Sequence, residues 1–374
     1  YGWLRDTAGN IGGPASDNIS LDTVVPDNTT VSINSGDNLT KLTAVTLKLG
    51  ASDSNKVKGY YASEQTSTPA LSNFIQVTES TLYSDNVSFN LSSGDGVKRV
   101  YVWFRDKAGN LSNSVSDNIT LDQTAPVLAE VTAVPVLDND STPNYIFSST
   151  ETGTLSYGGS CSSATTQANE NNNTITLNTL AEGTYNNCTL SVTDSAENIS
   201  DNLSFTTFSV DLTAPALSLV SAVSTYTNDT TPNLTFSSSE NGTISYGGSC
   251  SSATTQAISG NNVVTLSTLT EGTYDNCTIS VVDGAGNLSG ALTVDNFTVD
   301  VTSPTLSLGS PSSSLTKSGP VTFTVSYTGA STVSLSTDNV TVTSTDNASA
   351  GSTSVSGSGT GGRFVEVGLL GKGG

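Results

Sequence analysis

Carboxylates are the side chains of this 374-residue chain whose types and spacing could do chemistry. Three acidic residues recur in each copy of a repeated unit: one before a linker, one in a predicted loop, and one that opens a turn of the form Asp-x-x-Gly-Asn. The sets are Asp22, Asp53 and Asp106; Asp122, Glu151 and Asp194; and Asp211, Glu240 and Asp283. Calcium takes about six to eight oxygen ligands in loose geometry, so these sets could bind it if the fold brings them together.

The four cysteines form two equally spaced pairs. Cys161 and Cys188 are 27 residues apart, as are Cys250 and Cys277, and the second pair lies 89 residues after the first. Two thiols per repeat are too few for a zinc site, which needs about four ligands, and the chain has no histidine. We therefore predict two intradomain disulfides, which indicate an oxidising compartment.

A catalytic site is not predicted. Without histidine the chain has no Ser/His or Cys/His pair. Paired carboxylates can hydrolyse glycosides, but the acidic residues that recur do so in every repeat, and enzyme sites are not normally built in triplicate. We predict a non-enzymatic protein.

The elements that must position these residues belong to a tandem repeat. YVWFRDKAGN at residues 101–110 nearly repeats YGWLRDTAGN at residues 1–10, and successive linkers are 100, 89 and 89 residues apart. Such a period is typical of an array of similar domains. The predicted modules are a C-terminal fragment at 1–22, a module without cysteine at 23–122, sibling modules with one cysteine pair each at 123–211 and 212–300, and an incomplete module with a flexible Ser/Thr/Gly-rich end at 301–374.

Short runs of alternating apolar residues predict an all-β fold. Runs of about four to eight residues are separated by Gly, Asn, Asp, Ser and Pro, which is typical of half-buried strands. About seven strands in 90 residues match an immunoglobulin-like β-sandwich, and tandem sandwiches predict an elongated rod. The alternation places Val100, Val102 and Phe104 in the core, and Tyr185 and Tyr274 where a corner tyrosine could bond to backbone.

The charge balance argues against two classes of partner. Twelve basic residues against 33 acidic ones give a net charge of −21, which disfavours nucleic acid and anionic membrane surfaces. The chain contains no run of 18 apolar residues, so we predict no membrane insertion. The acidity is typical of a solvated, repulsive surface, with divalent cations as the alternative explanation.

The repeated units resemble the tandem bacterial Ig-like domains of very large surface and secreted proteins. The resemblance rests on YVWFRDKAGN…SDNITLDQTAP and GTYDNCTISVVDGAGN, and it covers roughly residues 1–304. It implies an extracellular stalk that carries an adhesive or enzymatic tip, in some cases stiffened by calcium at the domain junctions. The chain departs from the pattern at Glu197, which replaces the turn glycine, and in the last module, which has no such turn.

An Ig-like sandwich would bring the three acidic residues of each set together at one pole of a module. The converging charges would then repel one another unless a cation neutralises them, and calcium suits such a site. The alternative is ordinary turn chemistry, in which the aspartate caps the turn and glycine supplies the positive φ. Both interpretations stay open, and the fourth module, which offers only Asp300, is expected to have no site.

A row of aromatic residues is the other candidate site. Alternation directs Tyr101 and Trp103 away from the core, beside the neighbouring Tyr60 and Tyr61, where the rings could stack on cell-surface or matrix glycans. The alternative is a structural cross-strand ladder under the stems of Arg105 and Lys58.

We therefore expect a non-enzymatic extracellular stalk segment of a bacterial adhesin-like protein, with neighbouring Ig-like repeats of a longer chain as its partners. The alternatives are an accessory region of a secreted hydrolase and a carbohydrate-binding module that uses the tryptophan-containing repeat.

Overall fold

The computed structural model describes residues 2–314, 319–330, 332–343, 348–356 and 363–371. Their regular structure is β in several separate sheets, as predicted for Ig-like β-sandwiches, apart from the short 3-10 helices Leu71–Asn73 and Thr337–Asn339. Neither of these described helices has the length or apolarity to span a bilayer. The chain forms two compact units, Tyr1–Leu212 and Thr213–Gly374.

The first described residues form a hairpin. Strands β1 (Gly2–Arg5) and β2 (Ile11–Ala15) pair antiparallel around a turn that Asp6 opens. Gly9 in this turn has a φ of 95°, a conformation that favours glycine.

The module without cysteine is built on one branched sheet. Its strands pair in the order β3-β5-β7-β8-β4, and β6 pairs with β5. The strands are β3 (Asp27–Ile33), β4 (Leu39–Thr40), β5 (Ala44–Ser63), β6 (Ile75–Asn90), β7 (Gly96–Asp106) and β8 (Val115–Leu121). Val100, Val102 and Phe104 are all 0% exposed, so the predicted inward face of β7 is confirmed.

Strand β5 differs from the prediction. The segments AVTLKLGA and KGYYASE lie on either side of the loop predicted at Asp53, but the structure joins them in one strand of 20 residues. Its pairing register shifts between Ser52 and Val57 and again before Gly59, and Lys56 in this stretch has a φ of 78°. Asp53 therefore lies in the irregular middle of a strand and not in a loop, because the backbone continues to pair on both sides of the bulge.

The two sibling modules have the same arrangement of three small sheets. In the first, these are β14-β11-β9, β10-β18-β15 and β13-β12-β16-β17, and the second repeats them as β24-β21-β19, β20-β28-β25 and β23-β22-β26-β27. The strands of the first sibling are β9 (Leu128–Thr132), β10 (Leu137–Asp138), β11 (Asn144–Ser149), β12 (Gly153–Gly158), β13 (Gln167–Ala168), β14 (Asn171–Thr176), β15 (Gly183–Tyr185), β16 (Thr189–Thr193), β17 (Leu203–Ser204) and β18 (Phe208–Val210). Those of the second are β19 (Leu217–Ser221), β20 (Tyr226–Thr227), β21 (Asn233–Ser238), β22 (Gly242–Gly247), β23 (Gln256–Ala257), β24 (Gly260–Thr265), β25 (Gly272–Tyr274), β26 (Thr278–Val282), β27 (Leu292–Thr293) and β28 (Phe297–Val299).

Both predicted disulfides are present in the cores of the sibling modules. Cys161 bonds to Cys188 and Cys250 to Cys277, and all four residues belong to the buried clusters. Cys188 directly precedes β16 and Cys277 directly precedes β26, and each is only 2% exposed, so each fills a core position.

The corner tyrosines also take their predicted role. Tyr185 Oη donates to the backbone oxygen of Ala181 at 2.8 Å, and Tyr274 Oη donates to that of Thr270 at 3.0 Å. Each hydroxyl therefore ties the strand to the segment four residues before it.

The last module is one four-stranded sheet, ordered β29-β30-β32-β31. The strands are β29 (Thr305–Leu308), β30 (Gly319–Thr328), β31 (Ala348–Ser356) and β32 (Arg363–Gly371). The end that we expected to be flexible thus contains two strands that pair with each other, while residues 357–362 and 372–374 lie outside the described residues. The core is small, and its buried apolar residues within the described part are Val321, Val325, Tyr327 and Val367.

Candidate metal centre at the module junctions

Asp106 opens the turn that follows β7. Its Oδ1 accepts hydrogen bonds from the backbone N–H of Gly109 at 2.6 Å and of Asn110 at 2.8 Å, and its Oδ2 accepts one from Nδ2 of Asn110 at 2.7 Å. Asp194 and Asp283 each accept the corresponding bonds from the asparagine four residues later. The turn role predicted for these aspartates is therefore confirmed.

The same turns hold the linkers that precede their modules. Nδ2 of Asn110 donates to the backbone oxygen of Asp22 at 3.2 Å, and Nδ2 of Asn198 donates to that of Asp122 at 3.0 Å. Each asparagine therefore keeps the linker aspartate beside the aspartate of its turn.

Asp53 is a buried carboxylate at the first junction, which is the place where the linker at Asp22 meets the module at 23–122. The residue is 5% exposed, and its Oδ1 accepts a hydrogen bond from the backbone N–H of Asn55 at 2.7 Å. Its Oδ2 is buried and has no hydrogen-bond partner among the described residues. Burial raises the pKa of Asp53, and the negative charges of Asp106 and Asp22 raise it further. An acceptor left in this state costs about 1–3 kcal/mol, and more when it is charged.

Asp22 completes the first set. One carboxylate oxygen from each of Asp22, Asp53 and Asp106 lies within 4.8 Å of the other two. Oδ2 of Asp22 is also buried and without a hydrogen-bond partner among the described residues. The ion pairs that the structure shows in this unit join lysines to Glu79 or Glu197 and involve none of these three carboxylates. Within the described residues, the set therefore has two carboxylate oxygens without a hydrogen-bond partner and no ion pair with a cationic side chain.

The second junction repeats the arrangement. Carboxylate oxygens of Asp122, Glu151 and Asp194 lie within 4.8 Å of one another. Burial raises the pKa of Glu151, and the negative charges of Asp122 and Asp194 raise it further. The loop between β11 and β12 is held by Ser149, whose Oγ donates to the backbone oxygen of Glu151 at 2.6 Å.

The third predicted set is divided between the two compact units. Asp211 lies in the first unit, whereas Glu240 and Asp283 lie in the second. Glu240 is in the loop after β21, as Glu151 is after β11, and Asp283 opens its turn. Calcium binding by this set and the expected lack of a site beside Asp300 stay predictions.

The first two sets offer what a hard divalent cation requires. Every ligand atom in these sets is a carboxylate oxygen, and the three carboxylates of each set converge. At the first junction, Oδ2 of Asp22 and Oδ2 of Asp53 accept no hydrogen bond among the described residues, so their lone pairs are free to bind a cation. Calcium accepts carboxylates, carbonyls and water at about 2.3–2.6 Å, and its charge would remove the repulsion among the three acids. The turn bonds of Asp106 do not compete with this role, because a carboxylate has about four lone-pair sites.

The aromatic row is less accessible than we predicted. Trp103 is only 4% exposed, and the ring of Tyr61 packs beside it. The ring centre of Tyr61 lies 6.1 Å from that of Phe74 and 6.0 Å from that of Trp103. The guanidinium carbon of Arg105 lies 5.8 Å from the ring centre of Phe74. Tyr60 is buried against the core, stacked on Tyr83. The expected platform of exposed rings is therefore wrong for Tyr60 and Trp103, while Tyr61 and Tyr101 stay half-buried.

Sequence reasoning missed a cluster of lysines around Glu79. Lys107 Nζ lies 3.1 Å from Oε2 of Glu79, Lys56 Nζ lies 3.9 Å from the same atom, and Lys58 Nζ lies 3.6 Å from Oε1. The hydrogen bond from Lys107 lowers the pKa of Glu79, and the charges of Lys58 and Lys56 lower it further. The available sequence signal was the uneven distribution of the twelve basic residues along the chain.

Comparisons with known proteins define no family for this chain. No family model matches it, and no curated protein matches it. Two solved structures of Salmonella alpha-2-macroglobulin, one reacted with methylamine and one a mutant, align with 82% of the chain at TM-scores of 0.20 and 0.17 and identities of 9% and 10%. The chain spans 26% of the length of each of these proteins, and at such TM-scores the likeness carries no functional conclusion.

Proposed function

We propose that this chain is a non-enzymatic extracellular spacer from a bacterial adhesin-like surface protein and that calcium ions stiffen its module junctions. The tandem β-modules, the buried disulfides and the acidic surface support this role, since disulfides persist in oxidising environments. Modules linked in series hold apart the structures attached at their two ends, and this role requires no binding or catalytic site.

The observation that carries the proposal is the first junction. Two carboxylate oxygens, on Asp22 and Asp53, are buried there without a hydrogen-bond partner among the described residues, next to the turn carboxylate of Asp106. Such an arrangement destabilises the folded junction unless a cation occupies it. Because Asp22 belongs to the linker while Asp53 and Asp106 belong to the module, a bound ion would restrict the motion of one relative to the other.

Thermal unfolding with and without calcium tests the proposal. A ligand that binds only the folded state stabilises it by about 2.7 kcal/mol at a concentration one hundred times its Kd. We expect millimolar calcium to raise the unfolding temperature of the calcium-stripped chain. Sodium chloride at equal ionic strength should not do so, because the effect is site binding and not screening.

Glu151→Gln is the matched variant for the second junction. It keeps the size of the side chain but removes one of three ligand charges, so we expect a smaller calcium-induced shift than in the wild type. Glu170→Gln, an exposed acid of the same module, carries the same charge change and should behave as the wild type. Equal unfolding temperatures with and without calcium would reject the proposed role of the junctions.

A further inference from the structure

The charges of this chain are divided between two parts. Eight of the twelve basic residues lie in the module at 23–122. Residues 108–316 contain neither lysine nor arginine, and the two sibling modules at 123–300 contain 17 acidic residues. The chain therefore has one region in which most of its basic side chains lie and another in which all the charged side chains are acidic.

The structure gathers part of the basic region into one surface, which we call the lysine cluster: Lys56, Lys58 and Lys107. All three ammonium groups lie within 3.9 Å of a single carboxylate, that of Glu79. Their side chains are 49%, 39% and 58% exposed, so they are accessible from solvent. Three positive charges that share one negative charge leave an excess of two, and each ammonium has more donors than Glu79 can accept.

A contact within the chain shows how such a lysine meets the sibling modules. Lys41 belongs to the same module as the cluster, and its Nζ donates to the backbone oxygen of Glu197 at 2.8 Å. The same Nζ lies 3.8 Å from the carboxylate of Glu197. The acidic module thus already accepts a lysine of its neighbour at an exposed position.

We propose that the lysine cluster is a docking surface for the acidic sibling modules, residues 123–300, of a second copy of this chain. The two surfaces are complementary in charge, and the base-free modules contain no lysine or arginine of their own to compete for the acids. Because each chain has a net charge of −21, two copies repel each other at long range. At about 0.15 M salt the Debye length is only about 8 Å, so local attraction acts at contact while distant charges are screened.

Cross-linking between isotopically distinct copies tests this contact. Equal amounts of nitrogen-14 and nitrogen-15 chains, free of calcium, are treated with a carbodiimide, which joins lysines to carboxylates in direct contact. We expect mixed-isotope cross-links from Lys56, Lys58 or Lys107 to acids of residues 123–300 at about 0.15 M salt. They should disappear at about 1 M salt, where the Debye length is about 3 Å.

Matched variants separate the cluster from net charge. The triple variant K56Q/K58Q/K107Q should raise the half-association concentration roughly tenfold in sedimentation, since exposed pairs each contribute little. The variant K48Q/K98Q/R99Q has the same charge change in the same module and should associate as the wild type. Glu79→Gln leaves all three ammonium groups unpaired and should strengthen association, with thermal melting to verify that each variant is folded.

Three results would overturn the proposal. The first is a chain that stays monomeric at every salt concentration and gives no mixed-isotope cross-links. The second is an equal loss of association in both triple variants, which would assign the effect to net charge. The third is binding of the cluster to a sulfated polysaccharide such as heparin without any contact between copies.

Discussion

At the scale of single residues, the position of Asp53 decides the chemistry of the first junction. A carboxylate 5% exposed, with one oxygen unpartnered among the described residues and two other acids within 4.8 Å, is unfavourable when charged. The bulged path of β5 places it there, and the turn bonds of Asp106 fix its neighbour. The same charge that destabilises the free junction is what a cation would bind.

Replacing Asp53 with Asn removes the charge and keeps the shape. Without calcium we expect Asp53→Asn to stabilise the module at neutral pH by about 1 kcal/mol, because a repelled, desolvated charge is lost. Burial raises the folded-state pKa of Asp53 above 3.8, so the folded state holds its proton more tightly than the unfolded state does. The penalty in the wild type is therefore absent below the unfolded pKa and grows as pH rises through the folded pKa.

The difference between variant and wild type should follow that pH dependence. Urea unfolding at a series of pH values should give a gain for Asp53→Asn that is largest near pH 7 and vanishes as pH falls towards 3.8. Asp37→Asn, an exposed acid of the same module, should show no such trend. A gain that is independent of pH would mean that the charge of Asp53 is not destabilising.

At the scale of elements, the same turn recurs at Asp6, Asp106, Asp194 and Asp283, and a disulfide lies in the core of each sibling module. The turn needs a left-handed residue before its asparagine: Gly9, Gly109 and Gly286 have φ values of 95°, 101° and 100°, and Glu197 has 69°. The left-handed backbone conformation costs a glutamate roughly 1 kcal/mol of strain. The ion pair of Glu197 with Lys41 is an attractive contact that opposes this strain.

Substitutions at this turn position should reveal the strain. Gly109→Ala should destabilise its module by about 1 kcal/mol although its Cβ meets nothing within 4 Å, because only the backbone conformation is at fault. Gly290→Ala, equally unhindered but outside the left-handed region, should change stability by less than about 0.5 kcal/mol. Glu197→Gly should be stabilising. Chemical denaturation of the three variants measures these differences.

Each disulfide should stabilise its own module. By the chain-entropy estimate, a loop of 27 residues contributes roughly 3.6 kcal/mol, which the variant C161S/C188S should lose. Hydrogen exchange should show lower protection at residues 123–211, with residues 23–122 little changed, because their core is separate. Uniform loss of protection across both modules would show that they unfold as one unit.

Sequence predicted the local features of these elements better than their extents. Alternation correctly assigned the core faces of Val100 and Phe104, and equal spacing correctly paired the cysteines. It did not predict that β5 continues through a bulge, because polar residues such as Ser54 and Asn55 are typical of a loop. Nor could alternation reveal that Trp103 is buried, since the burial of an outward-facing position depends on which distant segments pack against that face of the sheet.

At the scale of the whole molecule, the chain is a series of repeated modules. Separate cores lie within residues 33–119, 134–210, 223–299 and 325–367, so each repeat contains its own apolar cluster. In a repeat protein each module interacts mainly with its nearest neighbours, and the stiffness of the chain depends on the junctions. The first two carboxylate sets, which lie within one compact unit, are placed where a bound ion would act on that stiffness.

Negative-stain images test the consequence for the chain. In millimolar calcium we expect elongated particles with a narrow distribution of end-to-end distances, because each occupied junction joins linker and module. After removal of calcium by a chelator, the distribution should broaden. Particles that are compact in both conditions would argue against a spacer.

Calcium titration by calorimetry tests the central claim most directly. The wild-type chain should bind calcium, Asp53→Asn should bind about one equivalent fewer, and Asp37→Asn should match the wild type. If the wild type binds no calcium at millimolar concentrations, or if Asp53→Asn keeps the full stoichiometry, the carboxylates at the first junction are turn and linker residues and not a metal centre.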